Sequence, residues 1–152
     1  MRVMRVATIV IVFLGTRFAL AEEARRPLSA RQTMQRMVEA LERKDMADAR
    51  EMAVSADEYA AFSKRPVDRE KYAKRLDGFF TMLSRELSQG VELAEAEAAD
   101  ALILPAGQKT RHRIIMVVIY ARFRNEGKVL GDSPMPFFFI EHEGKWKFFM
   151  RK

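Results

Sequence analysis

Hydrophobic positions fall at helical spacing through the first two thirds of the chain and at strand spacing through the last third. Met34, Met37, Val38 and Leu41 follow the i, i+3, i+4, i+7 rule and predict a helix with one apolar face. Ser29, three residues before Gln32, fits a capping box at its start, and Arg43 and Lys44 suit its C-terminal end. Asp45 can cap a short second helix over residues 46–54. Asp57 and Glu58 can open one further turn that carries Tyr59 and Phe62. Residues 63–67 contain Pro66 and break the pattern. Asp68 then caps the longest helix, which runs to about residue 88. Tyr72, Leu76, Phe79, Leu83 and Leu87 recur along it with Phe80 beside them. Gly78, in its middle, is expected to mark the close approach of another backbone. Gly90 is suited to the left-handed conformation that ends a helix.

Residues 113–123 form the stretch around which the rest is organised. They are β-branched almost throughout and free of Gly and Pro, and both side-chain parities are apolar. This predicts a central strand covered on both faces. Ala and Glu in residues 91–104 favour helix. The stop at Gly90 and the following Pro105-Ala106-Gly107 favour a strand instead, and the central strand needs a partner. Residues 125–128 read as a turn, with Val129 and Leu130 as a short continuation. Residues 135–141 and 145–151 read as two closing strands, with Pro136 near the start of the first, where a missing donor is tolerated.

A two-residue turn between the closing strands places Glu143 at positive φ, which a Glu resists. The expectation is therefore a three-residue loop, His142-Glu143-Gly144, that pairs Glu141 with Lys145, Ile140 with Trp146 and Phe138 with Phe148. This register gives one face Phe138, Ile140, Trp146, Phe148 and Met150, and the other face Phe137, Phe139, Lys147 and Phe149. Three phenylalanines are too many for open solvent. A homodimer through the outer sheet face is the expected cover.

The N-terminus changes the picture of where this domain resides. Arg2 and Arg5, an apolar run over residues 6–14, and Ala19-Leu20-Ala21 form an export signal over residues 1–21. The run is shorter than the roughly 20 residues of a membrane span. The expected product is exported, periplasmic or secreted, and holds no stable span after cleavage. Residues 22–28 are expected to be a flexible mature N-terminus and residues 29–152 a single domain. The chain has no cysteine, so neither disulfides nor metal–thiolate chemistry can stabilise it, and the core must do so. Basic residues concentrate in residues 105–152, and acidic ones prevail in residues 22–104. The basic surplus suits an anionic ligand, or else a solvated rim of strand-end charges. Export and a modest mature charge argue against nucleic acid as a partner.

Candidate chemistry is sparse. His112 and His142 are the only histidines, and neither stands in a ligand-spaced cluster, so no metal and no cofactor is expected. No nucleophile motif and no phosphate loop appears. Tyr120 and Arg122 share a parity of the central strand with His112, Ile114, Met116 and Val118. Tyr120 can donate a hydrogen bond and Arg122 can hold a carboxylate or phosphate. Tyr59 and Tyr72 can reach the same cavity from the helical half, and Trp146 from the closing hairpin. Each also reads simply as a core or strand-end residue. Asp100, the one acid in an otherwise apolar run, is the only candidate general base.

Three stretches resemble the nuclear-transport-factor-2-like superfamily, which includes ketosteroid-isomerase-like cones. They are the first helix ending Val38-Glu39-Ala40-Leu41-Glu42-Arg43-Lys44-Asp45, the long strand before Asn125-Glu126-Gly127, and the hairpin His142-Glu143-Gly144-Lys145-Trp146-Lys147. The resemblance implies an α+β fold in which N-terminal helices pack in the concave face of a curved antiparallel sheet. It also implies an apolar pocket at the open end and frequent dimers. Members include isomerase- and dehydratase-like enzymes and many noncatalytic domains, so fold does not decide function. The favoured expectation is a noncatalytic binding or accessory module for a small, anionic or amphipathic ligand or a partner segment, with Tyr120, Arg122, Tyr59, Tyr72 and Trp146 around it. One alternative is a small cofactor-free isomerase or lyase using Asp100 and Tyr120. The other is a dimerising structural domain with a filled core.

Overall fold

The computed structural model describes residues 25–26 and 29–151. The signal over residues 1–21 and its cleavage pattern lie outside them, as do Pro27 and Lys152. Among the described residues four helices precede a six-stranded antiparallel sheet, an α+β arrangement.

Residues 29–42 form helix α1, and Arg25 and Arg26 are also helical. Ser29 is itself helical, and its carbonyl accepts from the Thr33 hydroxyl (3.1 Å), so the expected N-cap is not at this residue. The predicted apolar face is sound: Met34, Met37, Val38 and Leu41 are all buried. Asp45 caps α2 (Met46–Glu51) through the Asp48 amide, as expected. Helix α3 (Ala56–Phe62) starts earlier than Asp57. Ser55 caps it in a reciprocal box with Glu58, each side chain bonding the other's backbone amide. Asp68 caps α4 (Arg69–Ser88). Gly78 on α4 meets no backbone: a Cβ there finds nothing within 4 Å.

The strands are β1 (Val91–Ala98), β2 (Leu102–Leu104), β3 (Ile114–Asn125), β4 (Lys128–Val129), β5 (Met135–His142) and β6 (Lys145–Phe149). The sheet order is β1-β3-β5-β6, with β2 and β4 also paired to β3. The stretch expected as one strand over residues 91–104 is therefore two strands laid end to end along β3. A bulge between Leu93 and Glu95 bends the first of them. The far edge of β6 is covered by the link between α2 and α3. Val54 donates to the Phe148 carbonyl and the Phe148 amide donates to Met52, both at 2.8 Å.

The closing hairpin corrects the expected register. His142 pairs with Lys145, Glu141 with Trp146, Phe139 with Phe148 and Phe138 with Phe149. The turn has two residues, Glu143 (φ 50°) and Gly144 (φ 74°). Two consecutive positive φ values match the right-handed twist of the strands, and the local strain at Glu143 is outweighed by what the register buries. Phe137, Phe139 and Phe148 share one face, together with Val117, Ile119, Ala121 and Phe123 of β3, and all seven are buried in the main core with α1 and α4. Phe148 lies 5.8 Å from Phe137 and 6.0 Å from Phe80 by ring centroids.

The other face carries Phe138, Ile140 and Phe149, not the three phenylalanines on which the outer-face dimer was based. Part of it is covered from within the chain. Ile114 and Ile140 pack with Val54 and with Phe62 of α3 in a second, smaller core. Beyond Val118 that face opens to water at Tyr120, Arg122 and Arg124.

Candidate functional site

A cleft lies where α3, the 66–68 link and the first turns of α4 meet. Its volume is about 440 Å³, and Tyr59, Pro66, Val67, Asp68, Lys71, Tyr72 and Arg75 line it. α3 ends at Phe62, and Pro66 lies in the link that follows. Asp68 then fixes the first turn of α4 by accepting from the Lys71 amide at 3.0 Å. Tyr72 and Arg75 lie on successive turns of one helix face, and Lys71 and Arg75 are i, i+4 neighbours.

The aromatic wall is built from packed rings. The Tyr59 and Tyr72 rings are 5.1 Å apart and tilted by 51°. Phe149 closes edge-on against Tyr59 at 5.0 Å, and Phe62 stands 5.4 Å from Tyr59. Tyr72 is buried, and its hydroxyl donates to the Val54 carbonyl at 2.9 Å. Burial pushes its pKa up to about 12, with the Met150 backbone pulling the other way, so the hydroxyl keeps its proton at neutral pH. Two cations rim this wall. Arg75 spends one N–H on the Arg151 carbonyl (3.0 Å), which leaves other donors of its five for a ligand. Lys71 is exposed. A second recess shares Asp68, Lys71 and Arg75 and continues past Glu70 and Lys74, which pair with each other at 2.7 Å.

The remaining candidate residues are dispersed. Tyr120 is 43% exposed on the outer sheet face opposite Glu97. Arg122, on the same face, lies 3.9 Å from Glu95. Asp100 is exposed in the link between β1 and β2. Trp146 belongs to another groove of about 620 Å³ between α1 and the closing hairpin, where Arg36 and Lys145 face Glu39, Asp48 and Glu51. Tyr59 and Tyr72 are thus brought together, whereas Tyr120, Arg122, Asp100 and Trp146 lie apart from them. Lys71 and Arg75 escaped the sequence reading. Their signal was a pair of bases at i, i+4 bracketing an apolar-face tyrosine just after a proline-containing link.

A second polar constellation joins α3 to the sheet. Glu58 Oε1 accepts from the Lys147 ammonium at 2.6 Å and lies 3.5 Å from His142 Nε2, all three side chains being largely withdrawn from water. Burial raises the Glu58 pKa. The Lys147 hydrogen bond, the Ser55 amide and the charges of Lys147 and His142 more than offset this and hold it below the ordinary carboxylate value. Oε2 of Glu141, which faces Trp146 across the strand pair instead of Lys145, is buried without a hydrogen-bond partner among the described residues.

Among the described residues no three His, Asp or Glu side chains converge as metal ligands, and no helix is long and apolar enough to cross a membrane. Comparison of the chain with protein-family models, with curated proteins and with solved structures finds no match.

Proposed function

We propose that this chain is an exported, noncatalytic binding or accessory module that holds a small, partly apolar anion in the cleft between α3 and α4. The observation that carries this reading is the convergence of two packed tyrosines with Lys71 and Arg75 on one concave surface. Ligand sites are commonly apolar walls with a few placed polar groups. Here the wall is aromatic, and of the three charged lining residues Lys71 and Arg75 are cationic while Asp68 caps α4 through the Lys71 amide, so the complementary ligand pairs a flat apolar body with a carboxylate or phosphate. The fold reading that accompanies this proposal is a nuclear-transport-factor-2-like cone. Helices packed against a curved antiparallel sheet, the long β3 and the closing Gly144-Lys145-Trp146 hairpin support it.

The enzyme reading needs Asp100 and Tyr120 within reach of one ligand. Exposure of Asp100 on a strand link and of Tyr120 on the outer face favours the binding reading over it. Calorimetric titration with benzoate and phenyl phosphate tests the cleft directly. Binding is expected to weaken roughly tenfold in Lys71→Glu, a change of charge sign at an exposed position. Titrations without heat for either probe, or unchanged affinity in that variant, would remove the cleft as the site.

A further inference from the structure

The outer edge of the sheet is built from two unlike pieces. β1 carries the devices that keep an edge from pairing: a bulge at Leu93/Glu95 and the charges of Glu92, Glu95 and Glu97. β2 carries none. Its three residues are all apolar and all exposed, Leu102 by 50%, Ile103 by 54% and Leu104 by 38%. Among the described residues β2 pairs only with β3, so its other side offers unpaired backbone donors and acceptors there.

The charges around β2 specify an occupant. Every charged residue of 91–104 is acidic, and Glu97 and Asp100 are the two nearest to β2. The loop that follows, residues 105–113, carries only bases, Lys109, Arg111 and Arg113, besides His112. It follows the C-terminal end of β2 and is held against the residue after α3 by the Ser63–Thr110 bridge and by the Arg111 guanidinium on the Ser63 carbonyl (3.0 Å). The edge is therefore acidic before the apolar triplet and basic after it. A second copy turned through a two-fold axis at Ile103 brings Leu102 against Leu104, and lays each copy's Glu97 and Asp100 along the other's basic loop. A two-fold contact requires this kind of self-complementarity.

We propose that β2 is a self-association edge, where two copies of the chain pair antiparallel, Leu102–Leu104 against Leu102–Leu104, with the acidic end of β1 on the partner's 105–113 loop. The contact extends the sheet edgewise and leaves the outer face uncovered. It uses none of the residues that line the cleft between α3 and α4.

Sedimentation velocity on the chain at micromolar concentrations tests it, with Ile103→Lys and Tyr120→Lys side by side and circular dichroism to confirm that both fold. Both positions are exposed, so neither substitution disturbs the core. A dimer abolished by Ile103→Lys and retained by Tyr120→Lys is expected, since Tyr120 is on the outer face. Glu97→Lys is expected to weaken the dimer roughly tenfold, and Glu97→Lys with Lys109→Glu to restore it. Hydrogen exchange over residues 100–105 is expected to slow as protein concentration rises. A monomer throughout, a dimer lost on Tyr120→Lys instead, or no rescue by the double variant would each overturn the proposal. So would an edge that pairs only with an added extended peptide and never with its own copy.

Discussion

The two sides of β3 are governed by different neighbours. On the side facing α1 and α4, Val117, Ile119, Ala121 and Phe123 are all buried. On the other side, Ile114 is buried with Phe62 of α3 and Val118 is buried further along, and Tyr120, Arg122 and Arg124 then meet water. Sequence parity alone reads both sides as apolar, because the first half of the strand is so. The contrast teaches that cover along one strand can change midway, and that a short helix such as α3 decides where.

The largest effect should separate the two faces on β5. Phe139 is fully buried on the helix side, while Phe138 is half-buried on the other, 5.2 Å from the Arg151 guanidinium. Phe139→Ala should cost about 3–5 kcal/mol in urea unfolding, and Phe138→Ala roughly 1 kcal/mol. Equal losses would contradict the hairpin register, and a reversed order would restore the three-residue loop.

The link between the faces ranks next. Glu58 accepts from the amide of the α3 cap Ser55 and holds Lys147 of β6, so Glu58→Gln should cost about 1–3 kcal/mol at neutral pH. Because the folded pKa of Glu58 is depressed, its contribution is present above the unfolded carboxylate value of 4.5 and disappears as pH falls through the folded value. The acid limb of the stability profile should therefore be shallower in the variant. Parallel profiles for the two proteins would show that Glu58 is not coupled to folding.

The smallest effect belongs to the exposed half of the outer face. Arg124 meets Glu92 at 3.1 Å, with both side chains half in water. Arg124→Gln should change stability by less than about 1 kcal/mol, and the difference should shrink further in high salt. A larger, salt-independent loss would mean that this end of the face is covered after all.

Much of this was legible. The i, i+3, i+7 spacing of Met34, Met37 and Leu41, the caps Asp45 and Asp68, and the strand around Val117 all signal local preferences that tertiary packing reinforces. The misreadings have a common physical origin, in that a local cost was weighed without the nonlocal gain. Glu143 at positive φ is unfavourable by itself, yet it lets Phe139 meet Phe148 on the core side. Glu126-Gly127 makes the same kind of turn between β3 and β4, with φ values of 51° and 76°. The repeated Glu-Gly pair was thus the available clue. Ser29 failed as a cap because it is itself helical, and the Ser55-x-x-Glu58 box was passed over for the acids beside it. The cleft was half legible. Its tyrosines stood out as aromatic residues among polar ones, but bases on a helix surface are too common to single out Lys71 and Arg75.

The α2–α3 link that runs beside β6 has a consequence for how the chain matures. Phe148 must find Met52 and Val54, and Lys147 must find Glu58 across 89 positions. Such distant partners are slow to meet. Until they do, the helices lack the aromatic lid they pack against. A ribosome-bound nascent chain should therefore remain protease-sensitive in its helical half until the final strand has cleared the exit tunnel, and the seam between residue 53 and residue 148 should be the last to close.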